Sequence, residues 1–574
     1  MRLLFLVFLA LPAFTQPVVL VNGYQLPPCD TVTAESTFGQ LPQRLRDLGR
    51  EVIFFNNCSV APAVGATRPS LEALGTALGQ RIAQINAPQV DVVVHSMGGL
   101  ILRAYLSGKQ SAAGSFAPPA IHKVRKAVFL GTPHFGPGLA QVLLNIGGSD
   151  PQVRQIVPGT QFIADLATWN QGVDDLRGID AVAVAGNVTS GGDGLVPVPS
   201  ASLSFAADAE RTRVVPYCHT DVGALALVAA ACSRPPYLAN VNSDDHLSWR
   251  IIRSFFSGTD EWRSLGTAVS VDATGSTRGG LLVVPKDKDD NVLAGVTVVA
   301  AGSTQLQKVA DYYYAEQIAT GSQNVTVTAA GGNLNSPQSV TGGLYSVAVV
   351  KTGPYAAAVL PAAGRVATRT LAPGMFISLY GATLATDSAA AQALPLPVTL
   401  AGAQVMAGAN PLGLQFAGPT QINALLPEDA SGLITLTVKA PGGMHKINIL
   451  VEAAVPAIFT QTGTGSGTAS ALNAITGVVV TTQAKVRAGD VVSLFLTGLG
   501  ATETKDGLQW AKLTPKVFAG GLEAKVTYAG RAPGYAGLDQ INFVVPDGVA
   551  SGDTTPLRVE SNGRVSNSVV LPTL

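Results

Sequence analysis

The stretch 90–100, which reads Val-Asp-Val-Val-Val-His-Ser-Met-Gly-Gly-Leu, constrains the fold of this chain more than any other. Its valine-rich first half predicts a buried strand, and a helix is expected from its last residue onward. Ser96 falls on the turn between them, and a serine held on such a turn presents its hydroxyl above the sheet as a nucleophile. Gly98 and Gly99 fit where strand and helix pass too closely for side chains. The usual pattern is Gly-x-Ser-x-Gly, and the chain departs from it at Val94.

Predicted strands and helices alternate along the first 260 residues. Apolar runs predict strands at 17–24, 51–55, 90–94, 123–130, 181–185 and 212–215. Between them, leucines and isoleucines recur at helical spacing, for example after Ser70, which is a suitable N-cap residue. This alternation predicts a parallel α/β sheet covered on both faces, with functional residues at the carboxyl ends of its strands.

Four segments of this region resemble lipases of the α/β-hydrolase fold. They are 18–24 (VVLVNGY), similar to the strand that leads into the oxyanion hole; 95–99 (HSMGG), the nucleophile turn; 130–134 (LGTPH), common in bacterial lipases; and 192–198 (GDGLVPV), similar to the loop that carries the acid. The resemblance implies hydrolysis of lipid or other apolar esters by a Ser-His-Asp triad, with no cofactor. A polyester depolymerase, an amidase or an acyltransferase would use the same residues.

The resemblance also implies an order along the chain, in which the acid follows Ser96 and the base follows the acid. Asp193 lies between two glycines just past a predicted strand, and it is the predicted acid; Asp208 and Asp221 are alternatives on less clearly placed loops. The backbone N–H groups of Tyr24 and Met97 are expected to form the oxyanion hole.

Two histidines follow the acid at positions suited to a catalytic base. His219 comes directly after the predicted strand 212–215, where the base loop belongs. His246 begins an apolar helix that closes the domain, and in this family the base commonly precedes such a last helix. The prediction is therefore His246, with His219 as the alternative base.

An apolar segment at 139–170 interrupts the alternation of strands and helices. Because an inserted apolar segment beside an active site can cover it, a lid is one interpretation of this segment. The other is an excursion of the chain that packs against the core without moving.

The N-terminus has one positive charge, a short apolar run and then small residues, which predicts a signal peptide over 1–15 and a secreted protein. No later stretch is long and apolar enough to predict a transmembrane segment in the mature chain.

An even number of cysteines in a secreted chain suggests disulfides, and local pairing of Cys29 with Cys58 and of Cys218 with Cys232 is favoured among three connectivities. Their spacing does not suggest a metal site.

The charged residues give no sign of a nucleic-acid partner, because Lys+Arg and Asp+Glu both total 37.

The chain changes in character after the predicted catalytic domain, 16–262. Short alternating segments separated by Gly, Asn and Pro predict three all-β sandwich domains, at 263–352, 353–460 and 461–574. The chain is thus expected to be multidomain, with an α/β-hydrolase followed by Ig-like domains.

The last two predicted domains share an internal repeat, since QINALLP at 421–427 recurs as QINFVVP at 540–546. They resemble a C-terminal repeat domain of secreted proteins from soil acidobacteria, and the region before them resembles a bacterial Ig-like domain. Such domains are usually spacers or modules that bind a cell surface or polymer. A surface-binding protein with an inactive hydrolase domain is therefore the alternative to an active enzyme.

Overall fold

The computed structural model describes residues 16–25, 35–137, 150–158, 160–169, 176–188, 191–203, 211–219, 234–238, 241, 243–269, 278–309, 312–330, 332–340, 345–364 and 370–574. Several sequence predictions fall wholly or partly outside these ranges: the signal peptide 1–15, Cys29, Cys232, the alternative acids Asp208 and Asp221, and residues 139–149, 159 and 170 of the predicted lid. These remain predictions. The pairing of all four cysteines does so too, because each predicted disulfide includes Cys29 or Cys232.

A seven-stranded sheet forms the N-terminal part of the fold, with the strand order β2-β1-β3-β4-β5-β6-β7. Its strands are β1 (Val18–Val21), β2 (Val52–Phe55), β3 (Val90–His95), β4 (Val124–Leu130), β5 (Asp180–Gly186), β6 (Thr212–Val215) and β7 (Thr267–Ala268). The first six are parallel, and β7 runs antiparallel to β6. The predicted parallel α/β sheet is therefore confirmed.

Helices connect these strands and cover the sheet. They are α1 (Leu41–Asp47), α2 (Leu71–Gln84), α3 (Gly98–Ser107), α4 (Pro151–Ile156), α5 (Gln161–Trp169), α6 (Val198–Ala201) and α7 (Leu247–Ser257), with 3₁₀ turns at Asn57–Ser59 and Glu261–Ser264. The start of α2 is fixed by Ser70, whose hydroxyl accepts a hydrogen bond from the Ala73 N–H at 3.3 Å. Gly258 ends α7 in the left-handed conformation.

Alternation along each strand divides the apolar side chains between two cores. In β1, Val19 and Val21 pack with α2 and α3, whereas Val18 and Leu20 pack with α1 and α7 on the opposite face. Burial on both faces explains why these strands are continuous apolar runs. The sheet is therefore held rigidly on both sides, and the ends of its strands are fixed in space.

Two four-stranded sheets follow, packed face to face as the predicted β-sandwich. The strands are β8 (Arg278–Lys286), β9 (Thr297–Ala300), β10 (Thr304–Gln305), β11 (Gln307–Val309), β12 (Tyr312–Ala319), β13 (Gly321–Ala329), β14 (Gly332–Val340) and β15 (Tyr345–Lys351). Their sheet orders are β10-β9-β13-β14 and β11-β12-β8-β15. Apolar residues from both sheets share one buried cluster.

The next region again has two sheets, in the orders β16-β17-β22-β21-β18 and β20-β19-β23-β24. The strands are β16 (Tyr355–Pro361), β17 (Phe376–Ala382), β18 (Ala389–Ala390), β19 (Gln404–Ala407), β20 (Asn410–Pro411), β21 (Gly413–Ala417), β22 (Gln421–Leu425), β23 (Gly432–Ala440) and β24 (Gly443–Val451). One apolar cluster fills the space between them.

The C-terminal region forms an 11-stranded network of paired strands around its own core. The strands are β25 (Ala457–Ile458), β26 (Ala471–Asn473), β27 (Val491–Thr497), β28 (Thr502–Lys505), β29 (Leu508–Ala511), β30 (Lys516–Ala519), β31 (Leu522–Arg531), β32 (Asp539–Val544), β33 (Pro556–Ser561), β34 (Arg564–Val565) and β35 (Val569–Val570). No helix in the described ranges is long and apolar enough to cross a membrane.

The repeated QIN motif occupies equivalent strands in these last two regions. In β22 the Gln421 side-chain amide donates to Asn423 Oδ1 at 2.8 Å, and in β32 Gln540 donates to Asn542 in the same way, also at 2.8 Å. Each motif strand pairs antiparallel with a strand that follows a glycine turn, β17 after Gly374 and β27 after Gly489. The repeat therefore marks the same structural position twice.

The β regions contact the α/β region directly. Leu282 and Tyr312 of the first sandwich pack against Phe135 and against Ala164 of α5. Farther along the chain, Glu452 of the second β region forms ion pairs with Arg177 of the α/β region at 3.0 Å and with Arg564 of the third β region at 2.8 Å. These contacts join the α/β region to each of the three β regions.

Candidate active site

Ser96 lies on the turn between β3 and α3 with a backbone φ of 55°. This left-handed conformation is uncommon for a residue with a side chain, and such strain is concentrated at functional sites. The Ser96 N–H donates to the Leu130 carbonyl at 2.9 Å, which holds the turn against the end of β4. The hydroxyl is thereby placed at the carboxyl edge of the sheet, as the sequence predicts.

The two glycines after Met97 allow α3 to begin directly against neighbouring strands. A Cβ atom on Gly98 would lie 2.4 Å from the Val21 carbonyl oxygen, and one on Gly99 would lie 2.1 Å from Thr132 Oγ1. Neither position tolerates a side chain. The Gly-Gly pair is therefore required by the contacts of α3 with the ends of β1 and β4.

His219 bridges Ser96 and Asp193. Its Nε2 lies 2.8 Å from Ser96 Oγ, and its Nδ1 lies 2.8 Å from Asp193 Oδ2. Since an ionised carboxylate can only accept, Nδ1 carries the proton and Nε2 is left to accept the proton of the serine hydroxyl. This is the geometry of a nucleophile, a general base and a group that orients the base.

The prediction that His246 faces the serine is wrong, because the structure places the alternative, His219, beside Ser96. His246 is the N-cap residue of α7, and its ring stacks on Tyr217 with centroids 4.5 Å apart. The physical reason lies in the loop after β6, where the His219 N–H donates to the Asp193 carbonyl at 2.9 Å. That bond holds the chain just beyond β6 against the loop that carries Asp193. The histidine nearest the end of β6, His219, is therefore the one that lies beside Ser96.

Asp193 is buried, and both of its carboxylate oxygens are fully used. Oδ1 accepts from the backbone N–H of Leu195 at 3.0 Å and of Val196 at 2.7 Å. Oδ2 accepts from His219 and, at 2.9 Å, from the hydroxyl of Tyr237. Four hydrogen bonds compensate for burying a charge and fix the carboxylate in one orientation.

Tyr237 and His95 support this cluster, and neither residue belongs to a motif that would predict this role. Burial and the nearby Asp193 carboxylate raise the pKa of Tyr237 well above its usual value, so its hydroxyl stays a donor. His95 Nε2 lies 3.0 Å from the His219 carbonyl oxygen. Burial lowers the pKa of His95 to about 3, and a second contribution comes from the neighbouring His219. His95 is therefore neutral, with its proton on Nε2.

The backbone N–H groups of Met97 and Tyr24 are the ones expected to form the oxyanion hole. Met97 is at the start of α3, where N–H groups have no partner within the helix and favour negative charge. Tyr24 follows Gly23, and a Cβ on Gly23 would lie 3.1 Å from Ser96 Oγ. Met97 therefore adjoins Ser96 along the chain, and Tyr24 follows the glycine that lies against Ser96, while their role as oxyanion donors remains a prediction.

The side chain of Tyr24 is held by Asp150, the first described residue of the predicted lid segment. Its hydroxyl donates to Asp150 Oδ2 at 2.9 Å, and Arg68 Nε lies 3.1 Å from the same oxygen. The pKa of Tyr24 is raised to about 12, mainly by burial and in second place by this hydrogen bond. Farther along the segment, Asp165 of α5 pairs with Lys109 at 3.0 Å. The described helices of the segment are therefore anchored to the core.

Within the described residues, no three or more His, Cys, Asp or Glu side chains are grouped so that they could hold a metal ion.

Comparison with known proteins gives no match to any protein-family model and none to any curated protein. Among solved structures, the chain is similar to the phospholipase PlaB from Legionella pneumophila, with 14% identity over 59% of this chain and 94% of that one and a TM-score of 0.43. It is also similar to the mature lipase BlEst2 from Bacillus licheniformis, with 18% identity over 38% and 91% and a TM-score of 0.27. An I9–I11 tandem of titin has 8% identity over 52% and 97%, with a TM-score of 0.13. At these TM-scores the likenesses do not assign a function.

Proposed function

We propose that this protein is a serine hydrolase that cleaves carboxylic esters through an acyl-enzyme. The observation that carries the proposal is the unbroken chain of hydrogen bonds from Ser96 through His219 to Asp193. Each of the three residues follows a different strand of one rigid sheet, so their geometry is set before a substrate binds.

In the proposed mechanism, Ser96 Oγ attacks the ester carbonyl while His219 Nε2 accepts the hydroxyl proton. Asp193 holds the imidazole in the required tautomer and stabilises the imidazolium that forms. The N–H groups of Met97 and Tyr24 donate to the oxyanion of the tetrahedral intermediate. His219 then protonates the leaving alcohol, and a water activated by the same histidine releases the acid and restores Ser96.

Apolar acyl chains are the proposed substrates, and export is the proposed destination. The first follows from the resemblance of the sequence to lipases, and the second from residues 1–15. A panel of p-nitrophenyl esters from acetyl to palmitoyl, run beside an anilide and a polyester film, measures the substrate preference. N-terminal sequencing of protein recovered from culture medium tests export.

The decisive experiment combines a fluorophosphonate probe with four purified proteins: wild type, Ser96→Ala, His219→Ala and His246→Ala. Wild type should label and hydrolyse esters, and the Ser96 and His219 variants should lose activity by about 10⁴-fold or more. The His246 variant is the matched control, since its ring packs on Tyr217 away from the serine.

Three outcomes would count against the proposal. Hydrolysis that survives Ser96→Ala would exclude Ser96 as the nucleophile. Activity lost in the His246 variant and retained in the His219 variant would reverse the assignment of the base. A folded wild-type protein that neither labels nor hydrolyses any ester would favour a surface-binding protein with an inactive hydrolase domain.

A further inference from the structure

Two buried asparagine side chains converge on the carbonyl of Gly23. Asn57 Nδ2 donates to this oxygen at 2.9 Å, and Asn22 Nδ2 donates to it at 3.2 Å. The two side chains are also joined to each other, since Asn22 Nδ2 lies 3.1 Å from Asn57 Oδ1. Asn22 is 1% exposed and Asn57 is 4% exposed, so water does not compete for these bonds.

The orientation of this carbonyl determines where the Tyr24 N–H points. The peptide bond between Gly23 and Tyr24 is trans, so its C=O and N–H are directed to opposite sides. With the carbonyl directed at the asparagines, the N–H is directed away from them. Gly23 itself lies against Ser96, and from this contact we infer that the N–H is on the serine side of the strand end.

Gly23 makes such an anchor necessary. A glycine rotates freely about its backbone bonds, and rotation would turn the following peptide and remove its N–H from the serine. A side chain that stiffened this position is excluded, because a Cβ would lie 2.6 Å from Ser96 Cβ. The constraint therefore has to come from hydrogen bonds to the carbonyl oxygen.

Asn57 is itself positioned by a local motif. It is the first residue of the 3₁₀ turn Asn57–Ser59, directly beyond β2. Asn56 caps this turn, because its side-chain oxygen accepts from the Cys58 N–H at 3.0 Å. Since β2 pairs with β1 in parallel register, the turn lies at the same edge of the sheet as Gly23.

We propose that Asn22 and Asn57 are positioning residues that lock the Gly23–Tyr24 peptide with its N–H aimed at the oxyanion. The inference rests on the proposed ester hydrolysis. The asparagines act on the transition state, where negative charge develops on the carbonyl oxygen, and have little effect on binding of the uncharged ester.

The test compares Asn57→Asp, Asn57→Ala and the double variant Asn22→Ala/Asn57→Ala with wild type. Loss of one oxyanion donor costs about 10²- to 10³-fold in kcat, and partial misorientation should cost about 10- to 100-fold. KM should change by less than about threefold, because little ground-state binding is removed. Affinity for a boronic acid inhibitor, which forms a tetrahedral adduct on the serine, should fall in parallel with kcat/KM.

Asn567→Ala is the matched control, because Asn567 Nδ2 also donates to two backbone carbonyls, those of Ile458 at 3.0 Å and Gly465 at 2.8 Å, but lies in the C-terminal β region. It should retain kcat. A decrease in kcat of less than threefold in the double variant, or an effect on KM alone, would overturn the inference. Fluorophosphonate labelling of wild type would in that case still support the proposed hydrolase.

A crystal structure of the double variant gives a reading that is independent of activity. The Gly23 carbonyl should be rotated from its wild-type direction. An unchanged carbonyl would overturn the inference, even if wild type proved to be no hydrolase at all.

Discussion

Gly23 and Ser96 come from different parts of the chain and are in contact at the end of β1, where a Cβ on Gly23 would lie 2.6 Å from Ser96 Cβ and 3.2 Å from the His95 carbonyl oxygen. The chain leaving β1 therefore passes directly over the nucleophile. This contact connects the strained serine turn to the peptide expected to stabilise the oxyanion. It also gives the first prediction.

Replacing Gly23 with alanine should reduce kcat/KM for p-nitrophenyl butyrate by at least about 100-fold. The added methyl group must displace either the Ser96 side chain or the Tyr24 N–H, and a displacement of 1 Å at such a site can cost this much. Gly552→Ala is the control, because the nearest atom to a Cβ there is 4.0 Å away. Circular dichroism should show both variants folded, and a Gly23→Ala enzyme of near wild-type activity would contradict the described contact.

Much of the site follows from local sequence, and the remainder depends on long-range contacts. Ser96 and Asp193 each follow a strand that is visible as an apolar run, so their loops could be assigned to the carboxyl edge of the sheet. The choice between His219 and His246 could not be made in this way, because both sit where a base is plausible. The structure places His219 beside Ser96, and the hydrogen bond from His219 N–H to the Asp193 carbonyl that holds it there is not encoded by any spacing.

The supporting residues were missed for the same reason. Tyr237 reaches Asp193 across 44 positions of sequence, and Asn57 reaches Gly23 across 34. Neither belongs to a recognisable motif, and a buried tyrosine or asparagine usually has only a structural role. For Asn57 the available signal was its place directly after a predicted strand, at the edge where the other functional residues lie.

Tyr237→Phe should lower kcat by about 3- to 10-fold and leave KM nearly unchanged. The substitution removes one of four hydrogen bonds to the Asp193 carboxylate. A bond to a charged group contributes about 1.5–3 kcal/mol, and only part of that loss is expected in the transition state because three bonds still hold the carboxylate. It also deprives the Gly186 N–H of its acceptor, the Tyr237 hydroxyl. Steady-state kinetics on a soluble ester measures the effect.

Tyr217→Phe is the appropriate comparison for that variant. Its hydroxyl accepts from the Leu247 N–H at 2.9 Å, so its loss weakens the start of α7 without touching the acid. It should lower thermal stability and leave kcat unchanged. Equal kinetic effects from the two tyrosines would show that Tyr237 acts through general stability and not through Asp193.

Glu452→Gln should destabilise the contact between the α/β region and the C-terminal β region. The carboxylate is paired with Arg177 and Arg564, whose side chains are 1% and 11% exposed, so its removal leaves two largely buried cations without their counter-charge. Breaking a buried pair from one side costs about 3 kcal/mol. Urea unfolding followed by tryptophan fluorescence should show a lower midpoint. Glu523→Gln, which breaks an exposed pair with Lys516, should shift it very little, and equal shifts would contradict the prediction.

The free energy of unfolding should fall as the pH drops from about 7.5 to 5. Burial lowers the pKa of His95 to about 3 and that of His134 well below its usual value, with the nearby Arg103 contributing to the second shift. In the unfolded chain a histidine has a pKa of about 6.5, so below that pH the unfolded state binds a proton that the folded state does not. The stability supplied by a neutral buried histidine is thus present above pH 6.5 and is lost as the pH falls. By pH 5 the loss is roughly 2 kcal/mol for each such histidine.

His134→Asn should flatten the dependence of unfolding free energy on pH in this window, where carboxylates with ordinary pKa values remain ionised. A wild-type curve that is level from pH 7.5 to 5, or a variant curve with the wild-type slope, would show that these histidines can take up protons in the folded state.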